Sequence, residues 1–162
     1  AGLVWDHYDI KYVGLKYNMF DINAALGITQ LKKINAMLKE RKKIVKNYKI
    51  ELKNLPVFFQ GTNDYEFDNA HHLFTLVLDK KRTDKNRDHL LRYLNKNKIG
   101  VGVNYRPVTS MSCYRKLFNW NNKTCVNANY IGNNILSLPL YPGLKKTEQV
   151  YIIKKLKKFF DK

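Results

Sequence analysis

With 162 residues, of which 44% are hydrophobic, the chain is long and apolar enough to build one ordinary domain with a core, which excludes an intrinsically disordered protein. No apolar run reaches the roughly 18 residues that span a bilayer, and no basic-then-apolar leader opens the sequence, so we expect a cytoplasmic protein without a membrane partner. The net charge of +17 attracts polyanions, but its lysines are spread along every segment, as a general Lys and Asn excess would place them.

The first half of the chain predicts an extended segment followed by a long helix. Residues 1–20 lack a helical period and are rich in aromatic and polar side chains. From Asp21 onward apolar residues recur at steps of three or four, with charged residues between them. The pattern predicts one amphipathic helix that is capped by Asp21 and ends near Pro56.

The second half alternates short apolar runs with helical patterns. Leu90, Leu91 and Leu94 lie on one side of a predicted helix, and Val150, Ile153, Leu156 and Phe160 lie on the inner side of a final helix capped by Thr147. Strands are predicted at 72–78, 99–105 and 135–140, and helices at 84–98, 111–118, 125–134 and from 147 onward. We therefore predict an α+β fold in which helices flank a small three-stranded mixed sheet.

The two cysteines, Cys113 and Cys125, are separated by eleven residues and match neither a Cys-x-x-Cys nor a Cys/His ligand spacing. We expect reduced thiols, no disulfide framework and no metal site.

Four blocks carry a family resemblance. Residues 14–25 read Gly-Leu-Lys-Tyr-Asn-Met-Phe-Asp-Ile-Asn-Ala-Ala, and residues 135–144 read Ile-Leu-Ser-Leu-Pro-Leu-Tyr-Pro-Gly-Leu. Between them lie Asn-Ala-His-His-Leu-Phe at 69–74 and Lys-Ile-Gly-Val-Gly-Val-Asn-Tyr-Arg-Pro at 98–107. In this order they resemble the C-terminal part of the DegT/StrS family of sugar aminotransferases, with Phe20 in place of the usual Thr or Ser.

The resemblance implies the small C-terminal domain of a fold-type I enzyme that uses pyridoxal phosphate. Residues 1–20 would form an arm that reaches the active site across a dimer interface, and residues 21–162 would form the small domain. The family's cofactor-binding Lys, in a Ser-x-x-Lys setting, and the acid that holds the pyridine nitrogen protonated have no match here. The cofactor would be bound mainly by a large upstream domain, and no catalytic residue is assigned to this chain.

By the same resemblance, a polar side chain of the arm would contact the cofactor phosphate. Asn18 matches one family position and is preferred, but related members place the Asn at the position of Lys16, which also suits an anion. Tyr17 belongs to the same motif and is assigned to the substrate.

Residues 105–109 match a substrate-facing turn of the family. Tyr105 and Arg106 are expected to face the substrate, with Arg106 either a phosphate or carboxylate clamp or simply solvated. Thr109 stands where the family has a His, and His72 at the family's strand-start His is either a ligand contact or a structural imidazole.

The implied function is transfer of an amino group, usually from glutamate, to a nucleotide-linked keto sugar in surface polysaccharide or glycoconjugate biosynthesis. A homodimer partner or a separate N-terminal cofactor domain would complete the enzyme, so the chain alone is expected to be inactive. Two alternatives remain open. The chain is a non-catalytic remnant, or it is a basic nucleic-acid-binding module, which the charge favours but no recognised motif supports.

Overall fold

The computed structural model describes residues 17–61, 68–121 and 123–161, together with the strand residues Leu3–Val4 and Asp9–Ile10. The chain divides into two compact units, Ala1–Ala36 and Met37–Lys162, referred to as the first and second units. Strand β1 (Leu3–Val4) pairs antiparallel with β2 (Asp9–Ile10) in the first unit. No helix in the described part of the chain is both long and apolar enough to cross a membrane.

The single long helix predicted from Asp21 is wrong, because the structure has two helices, α1 (Asp21–Leu31) and α2 (Ile34–Leu52). Between them the N–H of Lys33 donates to the carbonyl of Gln30, three residues back instead of four, at 3.0 Å. This tighter turn interrupts the α-helical ladder although the apolar spacing continues through it.

Asp21 is also not the cap of α1. The N-cap residue is Phe20, in an extended conformation and without a side-chain hydrogen bond. Asp21 lies instead in the first helical turn, where a carboxylate is favoured by the helix dipole.

The second unit is built on a three-stranded sheet. Strands β3 (Val57–Phe59), β4 (Phe74–Leu78) and β5 (Ile135–Leu138) lie in the order β3-β4-β5, and both pairings are antiparallel. The predicted mixed sheet is therefore wrong, and so is the strand at 99–105, where only Gly102 pairs with Ser137. Gly100 and Gly102 weaken strand formation there. Pro139 stands just beyond β5, at the strand end where a proline is tolerated.

Four further helices complete the fold. They are α3 (Arg87–Lys96), α4 (Ser112–Phe118), α5 (Val126–Asn134) and α6 (Lys146–Phe160), with a 3-10 turn at Val108–Ser110. Asn86 caps α3, since its side chain accepts the N–H of Asp88 at 2.7 Å. Thr147 does not cap α6, because Lys145 is the N-cap residue and its N–H donates to Glu148.

The core lies between the sheet and helices α2, α3 and α6. Tyr48 of α2 is fully buried and stacks on Phe74 of β4, with ring centroids 4.9 Å apart, and its hydroxyl donates to the carbonyl of Pro139. Burial raises the pKa of Tyr48, with a smaller contribution from Tyr141. Of the predicted inner positions of α6, Ile153 and Leu156 are buried, whereas Val150 is exposed.

Candidate functional site

The loop before α1 presents polar and aromatic side chains to solvent. Tyr17, Asn18, Met19 and Phe20 are all exposed, and together with Asn23 they line a concavity of about 700 Å³. Within the first unit, the amide of Asn18 is therefore accessible to an anion. Lys16, the alternative phosphate contact, lies outside the described residues.

Helix α1 carries no buried residue. Within the first unit its large apolar side chains are mostly solvated; Ile22, Leu26, Ile28 and Leu31 are between 57% and 76% exposed. The apolar pattern that predicts an inward face on this helix is therefore not matched by burial against the described residues of the first unit. A helix of eleven residues is marginal in water without tertiary packing.

The turn at residues 105–109 is fixed at one side and open at the other. Tyr105 is 71% exposed, and Arg106 is exposed beside it. Pro107 is buried against Gly132 of α5, so closely that a Cβ at Gly132 would stand 2.4 Å from Pro107 Cδ. Thr109 is buried, and its hydroxyl donates to Asn129 Oδ1 at 2.5 Å. Of the predicted substrate residues in this turn, Tyr105 and Arg106 reach solvent and Thr109 does not.

The two histidines before β4 differ in environment. His72 is exposed, whereas His71 is half-buried in a cavity beside α2. Burial lowers the pKa of His71, Lys49 and Lys42 lower it further, and Asp68 partly offsets them. Sequence reasoning gave His71 no role, and no sequence signal revealed that it shares a cavity with Lys49.

The sheet register separates the predicted substrate residues. Strand β4 pairs Phe74 with Leu138 at one end and Val77 with Ile135 at the other. The antiparallel pairing of Gly102 with Ser137 sends the following turn toward the Ile135 end, whereas His72 precedes Phe74 at the Leu138 end. Three residue steps of strand are about 10 Å, so the structure does not bring His72 together with Arg106.

An aromatic cluster beside this turn was missed by the sequence analysis. Tyr114 and Phe118 are four residues apart on α4, and their rings are nearly parallel. Asn119 ends the helix in a left-handed conformation, and Trp120 then stacks on Phe118 with centroids 5.0 Å apart. The i, i+4 spacing of Tyr114 and Phe118 was the available signal, but the return of Trp120 depends on the backbone of Asn119.

The described residues fit only part of a pyridoxal phosphate site. Asn18 supplies an exposed amide that can donate to a phosphate. No lysine in the described ranges is buried, as a covalently bound cofactor would require of its lysine, and the one buried carboxylate in the same ranges, Asp79, accepts the N–H of Lys81 in a turn. The residues present can therefore contact the edge of such a cofactor but do not enclose it.

Comparison with known proteins decides the family. The model of the DegT/DnrJ/EryC1/StrS aminotransferase family matches residues 1–157, nearly the whole chain. The chain belongs to this family. The four sequence blocks thus identified the family correctly, and the α+β fold agrees with that of its solved members.

Two curated relatives and one solved structure show how much of a family member the chain represents. An uncharacterized protein of Methanocaldococcus jannaschii, MJ1066, is 34% identical over 94% of this chain and 39% of its own length. The spore coat polysaccharide biosynthesis protein SpsC of Bacillus subtilis is 32% identical over 85% of this chain and 36% of its own. The putative sugar aminotransferase Spr1654 of Streptococcus pneumoniae, in its PLP form, superposes with a TM-score of 0.81 at 26% identity, over 98% of this chain and 40% of the other. The chain therefore spans about two fifths of the length of these relatives.

Proposed function

We propose that this chain is the C-terminal portion of a pyridoxal phosphate-dependent aminotransferase that transfers an amino group, from glutamate, to a nucleotide-linked keto sugar. The product would serve surface polysaccharide or glycoconjugate biosynthesis in the cytoplasm. Residues 1–20 are proposed to form the active-site and dimer arm, and residues 21–162 the small domain. The polysaccharide role named for SpsC and the description of Spr1654 as a putative sugar aminotransferase support this proposal.

The observation that carries the proposal is the solvated surface of residues 17–31. Seven large apolar side chains of this segment are exposed, and none of α1 is buried: Tyr17, Met19, Phe20, Ile22, Leu26, Ile28 and Leu31. Burial of such side chains contributes about 1.5 to 3 kcal/mol each, so this segment gains most of its stability only when another surface covers it. The remaining three fifths of a family member, or a second protomer, is the surface we propose.

This chain's residues would position ligands rather than perform the chemistry. When bound, pyridoxal phosphate supplies the electron sink for the transfer of the amino group. The Asn18 amide would donate to its phosphate, and Tyr17 would border the substrate from the same loop. Arg106, a planar bidentate donor, would hold a phosphate of the nucleotide while Tyr105 limits the space beside it.

Thr109 and His72 would contribute less directly than Arg106. The Thr109 hydroxyl is already donated to Asn129, so it would act on the substrate through the position of the Tyr105–Arg106 turn. His72 would contact ligand only from the opposite end of the sheet.

A chimaera tests the function. The corresponding two fifths of Spr1654 is replaced by this chain, and the purified protein is assayed for retention of pyridoxal phosphate and for glutamate-dependent amination of nucleotide-linked keto sugars by mass spectrometry. We expect the chimaera to retain the cofactor and to aminate the keto sugar, and the 162-residue chain alone to do neither. Asn18→Ala should weaken cofactor retention about tenfold or more, because a hydrogen bond to a charged group contributes about 1.5 to 3 kcal/mol.

Asn95→Ala is the matched control, because Asn95 is an exposed amide on α3 in the second unit. Arg106→Ala should raise the KM for the nucleotide sugar while leaving cofactor retention unchanged. A chimaera that retains the cofactor and forms a dimer but aminates no keto sugar would contradict the proposed substrate class. Equal cofactor retention in Asn18→Ala and Asn95→Ala would contradict the role of the arm.

A further inference from the structure

In the second unit, residues of α2, the pair Gln60 and Gly61 after β3, and residues of the 68–75 stretch line a cavity of about 260 Å³. Its floor is apolar and fixed, because Val45 and Phe74 are both buried and Phe74 is stacked on Tyr48. Its rim is polar and carries the nitrogen donors of Lys49, Gln60, Asn69 and His71. The rim also carries the carboxylate of Asp68, which is paired with Lys42. A firm apolar base beneath several nitrogen donors is suited to hold a small polar ligand in one orientation.

The charges around this cavity are unequally balanced. Lys42 forms an ion pair with Asp68, so its charge is neutralised by a carboxylate. Lys49 lies seven residues further along the same helix and forms no ion pair with any carboxylate in the described ranges. Among the described residues its ammonium therefore has no carboxylate partner, and the charged groups of those residues that act on His71 are Lys49, Lys42 and Asp68.

His71 is held in place by its backbone. Its φ is +45°, a left-handed conformation that non-glycine residues adopt infrequently, and its N–H donates to Asn69 Oδ1 at 2.7 Å. This Asx turn constrains the backbone from which the side chain reaches the cavity. Burial and, to a smaller extent, the Lys49 charge disfavour the protonated imidazole, so an anion entering the cavity would offset the repulsion from Lys49.

We propose that this cavity binds a phosphate group, with the Lys49 ammonium and the His71 imidazole as its principal donors and the Gln60 amide as a third. The cavity is large enough for a phosphate with a short organic substituent, since a water molecule occupies about 30 Å³. The phosphate is that of a free ion or of a small monoester.

The test follows the four histidines of the 162-residue chain by NMR. The pKa of His71 is measured with inorganic phosphate, with glycerol 3-phosphate, and with chloride at the same ionic strength. We expect either phosphate compound to raise the pKa of His71 saturably, while His72 and His89 respond little. A response to the ester at much lower concentration than to the ion identifies the monoester as the ligand, and the reverse identifies free phosphate.

Two charge-matched variants separate a site from general attraction. Lys49→Met removes the proposed donor, and Lys46→Met removes the same charge from an exposed position of α2 that does not line the cavity. We expect Lys49→Met to weaken phosphate binding about tenfold or more, Lys46→Met to change it little, and Lys49→Arg to retain it. Equal effects of Lys49→Met and Lys46→Met, or an equal response to chloride, would overturn the proposal.

Discussion

The contact between Gly132 and Pro107 gives the sharpest prediction about the proposed substrate turn. Gly132 is buried in α5, and an alanine Cβ there would lie 2.4 Å from Pro107 Cδ and 2.8 Å from its nitrogen. Ordinary contacts begin near 3.4 Å, so Gly132→Ala must displace the proline by about 1 Å. The turn cannot give freely, because the Gly102–Ser137 bonds precede it and the Thr109–Asn129 bond follows it.

The expected magnitude combines two opposing effects. Overpacking of a tight contact costs about 1 to 3 kcal/mol, whereas replacing a helical glycine by alanine contributes about 1 kcal/mol of stability. We therefore expect Gly132→Ala to leave the free energy of unfolding unchanged or lower it by up to about 2 kcal/mol. The amide resonances of Tyr105 to Thr109 should shift, since Pro107 must move.

Gly27 offers the matched control. It is also a helical glycine, in α1, but a Cβ there meets nothing within 4 Å. Gly27→Ala should therefore show the propensity gain alone, as increased helicity by circular dichroism. Urea denaturation measures the second unit, and NMR spectra report the turn. A Gly132→Ala variant that is more stable by about 1 kcal/mol, with unmoved turn resonances, would refute the reasoning.

Three further predictions concern the core and His71. Leu156→Ala should lower the free energy of unfolding by about 2 to 5 kcal/mol in urea denaturation, because Leu156 is fully buried, whereas Leu117→Ala at a 74% exposed position should change it by less than about 0.5 kcal/mol. Tyr48→Phe should cost about 1 kcal/mol through loss of the bond to the Pro139 carbonyl; equal stability would show that the bond contributes nothing. The pKa of His71 is lowered from 6.5 in the folded chain, so the unfolded chain binds its proton first and stability should fall as pH drops below about 6.5. In His71→Gln the urea midpoint should fall less between pH 7.5 and 5, and an unchanged pH dependence would contradict this.

The sequence predicted those elements whose periodicity is sustained. Helices α3 and α6 and strands β4 and β5 were found because their apolar residues recur over two turns or fill a short continuous run. Strand β3 was missed because Val57–Phe59 is only three residues long. The break after Leu31 was missed because it is made by one backbone hydrogen bond, which leaves the apolar spacing intact.

The sequence motifs located the candidate site residues along the chain but did not show which of them lie close together in the fold. The motifs predicted Asn18 as a cofactor contact and Tyr105 and Arg106 as substrate contacts, and these roles stay predictions. The structure has all three on exposed loops, the usual location of ligand contacts. The motifs did not reveal that Thr109 is buried against Asn129, because a partner twenty residues away leaves no local pattern. The distance between His72 and Arg106 likewise depends on strand register, which the sequence does not display.

Burial distinguishes the two units in a way that bears on function. The second unit encloses a continuous apolar core that runs from Ile44 to Leu156, so its conformation is maintained by its own side chains. In the first unit, α1 buries nothing, although it has apolar residues at the spacing of a packed helix. Such spacing has no use on a helix that stays in water, because each exposed apolar side chain forgoes the free energy of burial. The residues of α1 therefore suit a covering surface outside the first unit, which we propose is the rest of a family member or a second protomer. The polar loop at Asn18, which leads directly into this helix, would then be placed against that same surface.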